Sequence, residues 1–129
     1  MKYFDELKRS MTWLGQKENT IFLGQAVAYP GTGMTNTLSE VPKQKLYEMP
    51  VNEDMQMGMS IGMALNGTIP ISIYPRWNFL ILAANQIVNH LDKLKIMSDG
   101  KYSSNVIIRT RIGSQRPLHP QHQHISDFT

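Results

Sequence analysis

The 129-residue sequence has no cysteine, so it carries no disulfide framework, no thiolate metal site and no thiol nucleophile. Low-complexity tracts and internal repeats are missing as well. With 41% hydrophobic and 18% charged residues, the composition is that of a globular chain rather than a disordered one. No apolar run approaches the roughly 20 residues that a membrane span requires. The net charge is +3 and the pI about 9.3, yet the basic residues are not gathered into a stripe. Lys43 with Lys45, Lys93 with Lys95, and Arg109, Arg111 and Arg116 form small separate groups without interleaved aromatics. They read as solvated faces and argue against nucleic-acid binding. The N-terminus, Met1-Lys2-Tyr3-Phe4-Asp5-Glu6, places charges where a signal peptide needs an apolar region. Secretion is therefore not expected, and a cytoplasmic setting is compatible.

What is present suits one domain over residues 1–129. Tyr3, Phe4, Leu7, Met11 and Leu14 recur near helical spacing and predict an amphipathic helix ending by Gly15. Thr20-Ile21-Phe22-Leu23, closed by Gly24, reads as a buried parallel strand. Residues 28–40, rich in Gly, Thr, Pro and Asn, read as an irregular loop whose Gly31-Thr32-Gly33 is too short for a phosphate loop. Further strands are expected at 46–49, at 69–74 with Pro70 near its start, and at 105–109. Between the last two, residues 78–96 predict a long helix with Phe79, Leu80, Leu82, Ala83, Ile87, Val88, Leu91 and Leu94 on one broad apolar stripe. Alternating strands and helices imply an α/β fold, a mostly parallel sheet with helices on both faces and ligands at the carboxyl ends of the strands.

The run from Pro50 to Pro70 sets a carboxylate at such an end. Asn52 is a good helix N-cap, and Glu53 and Asp54 fall in the first turn, where unpaired N–H groups and the helix dipole favour negative charge. Dipole stabilisation alone accounts for an acidic residue there; a chemical role at the strand-to-helix junction is the alternative. Gly58 and Gly62 share a helix face and permit close approach of another backbone, while Gly67 ends the element. Near the C-terminus stand His119, His122 and His124. Without a nearby acidic or cysteine ligand they do not form a zinc signature, so no metal site is expected. Solvated loop histidines, or proton-handling groups at a cleft mouth, remain the two readings.

Taken in order, Phe22-Leu23-Gly24, Pro50-Val51-Asn52-Glu53, the Gly58, Gly62 and Gly67 spacing and Ile69-Pro70 form the first part of a longer series. It continues through Asn78-Phe79, Gln86-Ile87-Val88-Asn89, Lys93, Met97-Ser98-Asp99-Gly100, Ile107-Ile108-Arg109, Gly113 and a final Gln-His pair. Over residues 19–129 this series resembles the pyrimidine-binding domain of transketolase-like thiamine diphosphate enzymes, and among them the β subunit of pyruvate or branched-chain 2-oxo acid dehydrogenases. The resemblance implies the thiamine diphosphate-binding fold and gives Glu53 the place of the catalytic glutamate that hydrogen-bonds the cofactor's aminopyrimidine. A carboxyl group bonded to that ring nitrogen favours the imino form, whose exocyclic nitrogen can take the thiazolium proton. It also puts Phe79 against the aminopyrimidine, Val51 beside it, and either His124 or His122 at the active-site entrance.

The series also departs from the family. Gln25 and Ala26 stand where acidic residues are usual, Ile73 replaces a strand glutamate and Asn85 an aspartate, so neither the family's acidic link between paired active sites nor its detailed substrate class is carried over. No Gly-Asp-Gly motif with a downstream Asn is present, since Ser98-Asp99-Gly100-Lys101 is only a turn. The resemblance therefore implies that the cofactor diphosphate and Mg²⁺ are held by a partner, a diphosphate-binding α-type subunit or domain. Neither that domain nor the family's C-terminal domain is recognisable in these residues. A homodimer or heterotetramer is expected, and the chain is not expected to be active alone. The competing expectation is a non-catalytic assembly module of the same fold.

Overall fold

A short strand at the centre of the sheet carries Phe22 and Leu23, both fully buried, and each offers roughly 1.5–3 kcal/mol of burial. The computed structural model describes residues 2–112. Its elements are helix α1 (Tyr3–Gly15), strand β1 (Thr20–Gly24), helix α2 (Gly33–Asn36), strand β2 (Leu46–Glu48) and helix α3 (Glu53–Leu65). Strand β3 (Ile69–Ile73), helix α4 (Trp77–Leu80), helix α5 (Leu94–Met97) and strand β4 (Ile107–Arg109) follow. The four strands pair in the order β2-β1-β3-β4 and every pair is parallel. The α/β expectation is met, and the sheet's central strands are the ones that read as apolar runs.

Strand alternation divides the interior into two cores. On one face Phe22, Ile71 and Ile73 pack with Met11 of α1, Val27, Met34 of α2, Leu38 and Val41. On the other, Met57 and Ile61 of α3 pack with Tyr74, Leu80 and Ala83, with Ile108 of β4 against them. Pro70 is tolerated in a central strand because it lies opposite Ile21, before the pairing of β3 with β4 begins at Ile71.

Local chemistry sets the ends of α3. The Asn52 side chain accepts from the Met55 N–H at 3.0 Å, which satisfies one orphan donor of the first turn. At the other end Gly67 adopts φ +85, its N–H bonds Ala64 O at 3.1 Å and the Thr68 N–H bonds Met63 O at 3.2 Å. This is a Schellman termination.

Two expectations need correction. The loop after β1 contains the short helix α2, capped by Thr32, whose hydroxyl accepts from the Thr35 N–H. The single long helix over 78–96 is a helical run whose hydrogen bonding changes along its length: α4, then a 3-10 turn (Ile81–Ala83), a π-helical stretch (Gln86–Leu91) and α5. Leu80, Ala83, Ile87, Leu91 and Leu94 do face the α3 core, whereas Leu82 and Val88 are exposed. Apolar spacings of three and four are compatible with tight, regular or wide turns, so the period marks the buried face without setting the hydrogen-bond offset.

The glycines separate by function. A Cβ at Gly24 (φ +145) would lie 2.0 Å from Ile73 O and 3.0 Å from Gln56 Nε2, while one at Gly62 meets nothing within 4 Å. The close backbone approach expected at Gly58 and Gly62 is not made within the described residues, where a Gly58 Cβ would reach only the Gln86 side chain at 4.0 Å. Gly24→Ala should therefore destabilise the fold by about 3 kcal/mol or more, and Gly62→Ala should stabilise the isolated chain by about 0.5–1 kcal/mol. Urea denaturation measures both, and equal responses at the two positions would contradict this packing.

Candidate functional site

The carboxyl ends of β1, β2, β3 and β4 are Gly24, Glu48, Ile73 and Arg109. Around this edge the sequence gathers its unusual polar residues. Glu53 opens α3 and is only 5% exposed. Its carboxylate Oε1 accepts from Gln25 Nε2 at a long 3.5 Å. Gln25 directly follows β1, so a neutral amide meets the carboxylate across the edge.

Three residues that sequence reasoning passed over tie α3 to β3. Gln56 Nε2 donates to Ser72 Oγ at 3.1 Å and to Ile73 O at 3.0 Å. Ser72 Oγ donates to the Tyr74 hydroxyl at 3.3 Å, which donates to the backbone carbonyl of Glu53 at 3.4 Å. Each hydroxyl accepts once and donates once, so the chain of donors runs in one direction and ends on the residue that opens α3. Gln56, Ser72 and Tyr74 are all fully buried. The readable signal is polarity out of place, a serine between two isoleucines of a buried strand and a glutamine between two methionines.

Burial pushes the Tyr74 phenol up to about 12; the Ser72 hydrogen bond opposes that shift, and the negative charges of Glu53 and Asp54 add to it. Arg109, at the end of β4, donates from Nη2 to Thr37 Oγ1 at 2.8 Å. Its desolvation holds the guanidinium below its usual value. It anchors the loop containing Leu38, which belongs to the first core.

The other residues singled out in the sequence are distributed as follows. Phe79 lies in α4, half-buried, with the Arg76 guanidinium carbon 5.2 Å from its ring centroid. Its neighbour Leu80 packs in the same cluster as Met57 and Ile61 of α3. Val51, two residues before Glu53, is 77% exposed. Asn85 accepts from the Asn89 amide at 2.9 Å. His122 and His124 lie outside the described residues. Among the described residues no group of three or more His, Cys, Asp or Glu could hold a metal ion, and no helix is long and apolar enough to cross a membrane.

The described residues form a parallel α/β sheet with a buried glutamate opening the helix that follows β2, which sets the fold class. Sequence comparison narrows the class. The chain is 32% identical over 123 residues to the pyruvate dehydrogenase E1 component subunit beta of Gracilaria tenuistipitata var. liui, covering 92% of this chain and 38% of that protein. Against the subunit of the same name from Cyanidium caldarium it is 30% identical, covering 84% and 34%. A chloroplastic subunit beta-3 from Oryza sativa subsp. japonica is 28% identical, covering 92% and 32%. No family model matches the chain. These relatives support a transketolase-like domain of the kind carried by 2-oxo acid dehydrogenase β subunits, and the chain spans little more than a third of the length of the first two.

Tyr74 offers a direct test of the buried network. Its folded pKa lies above the unfolded value of about 10, so its contribution to stability is complete below pH 10 and is lost as pH rises towards 12. Wild type should lose roughly 2 to 3 kcal/mol over that window relative to Tyr74→Phe. Denaturant midpoints at pH 9 and pH 11.5 measure the difference; parallel pH dependence in the two proteins would contradict it.

Proposed function

We propose that this chain is the pyrimidine-binding half of a thiamine diphosphate-dependent 2-oxo acid dehydrogenase, with Glu53 as the carboxylate that engages the aminopyrimidine. The observation that carries this reading is the state of Glu53, buried to 5% exposure with one long bond to a neutral donor. A carboxylate offers about four acceptor positions, so Glu53 retains the capacity to bond a ring nitrogen, and the residues fit the group. When bound, thiamine diphosphate supplies the carbon nucleophile that attacks a 2-oxo acid carbonyl.

The protein's own contribution is to hold and share a proton at Glu53 Oε, where burial makes each hydrogen bond stronger than in water. Phe79 gives a ring for stacking a flat heterocycle on the face opposite Arg76, and Val51 adds an apolar wall. His122 or His124 serves the entrance as a proton-handling group. An α-type partner, carrying the diphosphate and Mg²⁺ site, completes the active centre. The space that the described residues leave beside Gly62 supports pairing of β-type domains in a homodimer or a heterotetramer.

The second reading is an assembly module of the same fold without catalysis. It is favoured by the neutral residues Gln25, Ile73 and Asn85 at positions that are usually acidic in the resembling family. Replacing Glu53 by Gln in the complex reconstituted with the diphosphate-binding partner separates the two. Turnover should fall about 100-fold or more with the chain's melting temperature little changed. Undiminished turnover would favour the assembly module.

A further inference from the structure

Glu48 is a half-buried carboxylate at the end of β2, opposite Gly24 in the register. It does not bind a side-chain cation among the described residues. Its Oε1 accepts from the Ala26 N–H at 2.7 Å, and its Oε2 accepts from the Val27 N–H at 2.8 Å and the Ala28 N–H at 2.8 Å. Three consecutive amides thus converge on one anion, a concave arrangement that chains form for negative charge. Charge-assisted bonds of this kind are short and about twice as strong as neutral ones. They hold a loop that would otherwise relax, since Ala26 sits at φ +58, a conformation unfavourable to any residue with a Cβ.

The residue immediately before this cradle is Gln25, whose amide donates to Glu53. On the other side, Gly24 O accepts from the Met49 N–H at 2.7 Å, so both flanks of Gln25 are tied to the β2 end. We propose that Glu48 is a positioning residue for Glu53, acting through the loop it gathers and the Gln25 amide that this loop presents. The inference rests on Glu53 being the working carboxylate, and it adds the device that keeps in place the side-chain donor the described residues give that carboxylate. A long 3.5 Å bond has little force of its own to order a glutamine side chain. The order comes from the backbone, and Glu48 supplies it.

The test uses the full chain and needs neither cofactor nor partner. The side-chain amide signals of Gln25 should follow a pH titration in wild type by nuclear magnetic resonance. That titration should disappear in Glu53→Gln, which distinguishes Glu53 from Asp54, Glu48 and Tyr74, the other titratable groups near it. In Glu48→Gln the amplitude should fall to less than half, with the backbone amide signals of β1 and β3 retained. Glu48→Asp, which keeps the charge but shortens the reach by one carbon, should give an intermediate amplitude. Full amplitude in Glu48→Gln overturns the proposal, as does the absence of any Glu53-dependent titration in wild type. Should Glu48→Gln lose the sheet signals, Glu48→Asp decides, and an unchanged amplitude there overturns it equally. The cofactor reading fails separately, through undiminished turnover of the Glu53→Gln complex.

Discussion

Everything at the carboxyl edge depends on how closely β1 and β3 meet the Gln56 amide. Gly24 pairs with Ile73, and a side chain at 24 would run into the Ile73 carbonyl, the same oxygen that accepts from Gln56. Removing one Cβ thus lets a helix amide lie over two strand ends. α3 is therefore fixed to the sheet by a directional bond as well as by the packing of Met57 and Ile61. Apolar contact alone is non-directional, and would specify the position of Glu53 less sharply.

The polar groups behind Glu53 are neutral. Gln56, Ser72 and Tyr74 form a relay of amide and hydroxyl donors, and Gln25 offers an amide from the front. Burying such groups is costly unless they are paired, and among the described residues the Gln56 amide oxygen is the member of this relay left without a partner. The charged residues act further out: Glu48 holds the loop after β1 and Arg109 holds Thr37. Each of these charged groups works on backbone or loop geometry, leaving Glu53 as the buried carboxylate at the mouth of the edge.

Legibility follows the range of the interaction. The Asn52 cap and the Gly67 stop are local, involving partners three to five residues away, and both can be read from residue type and spacing. The strands at 20–24 and 69–73 are readable because central parallel strands are apolar on both faces. The run from 77 to 97 is legible as helical and as half-buried, but its 3-10 and π-helical turns are not, since a period averages over them. The tie between Gln56 and Ser72 joins residues sixteen apart, and the Glu48 cradle reaches back twenty to twenty-two. No spacing rule relates those positions.

The sequence by itself determined the alternation of strands and helices, the parallel sheet this implies, and the placing of Glu53 in the first turn of a capped helix, because each follows from periodicity and local hydrogen-bond capacity. Tertiary structure alone decided that Glu53 is buried, that its side-chain donor is Gln25, and that its backbone carbonyl is held by Tyr74. These depend on the order and register of four strands. Register brings distant side chains within hydrogen-bond reach, and it is set by the summed packing of the whole core rather than by any one segment.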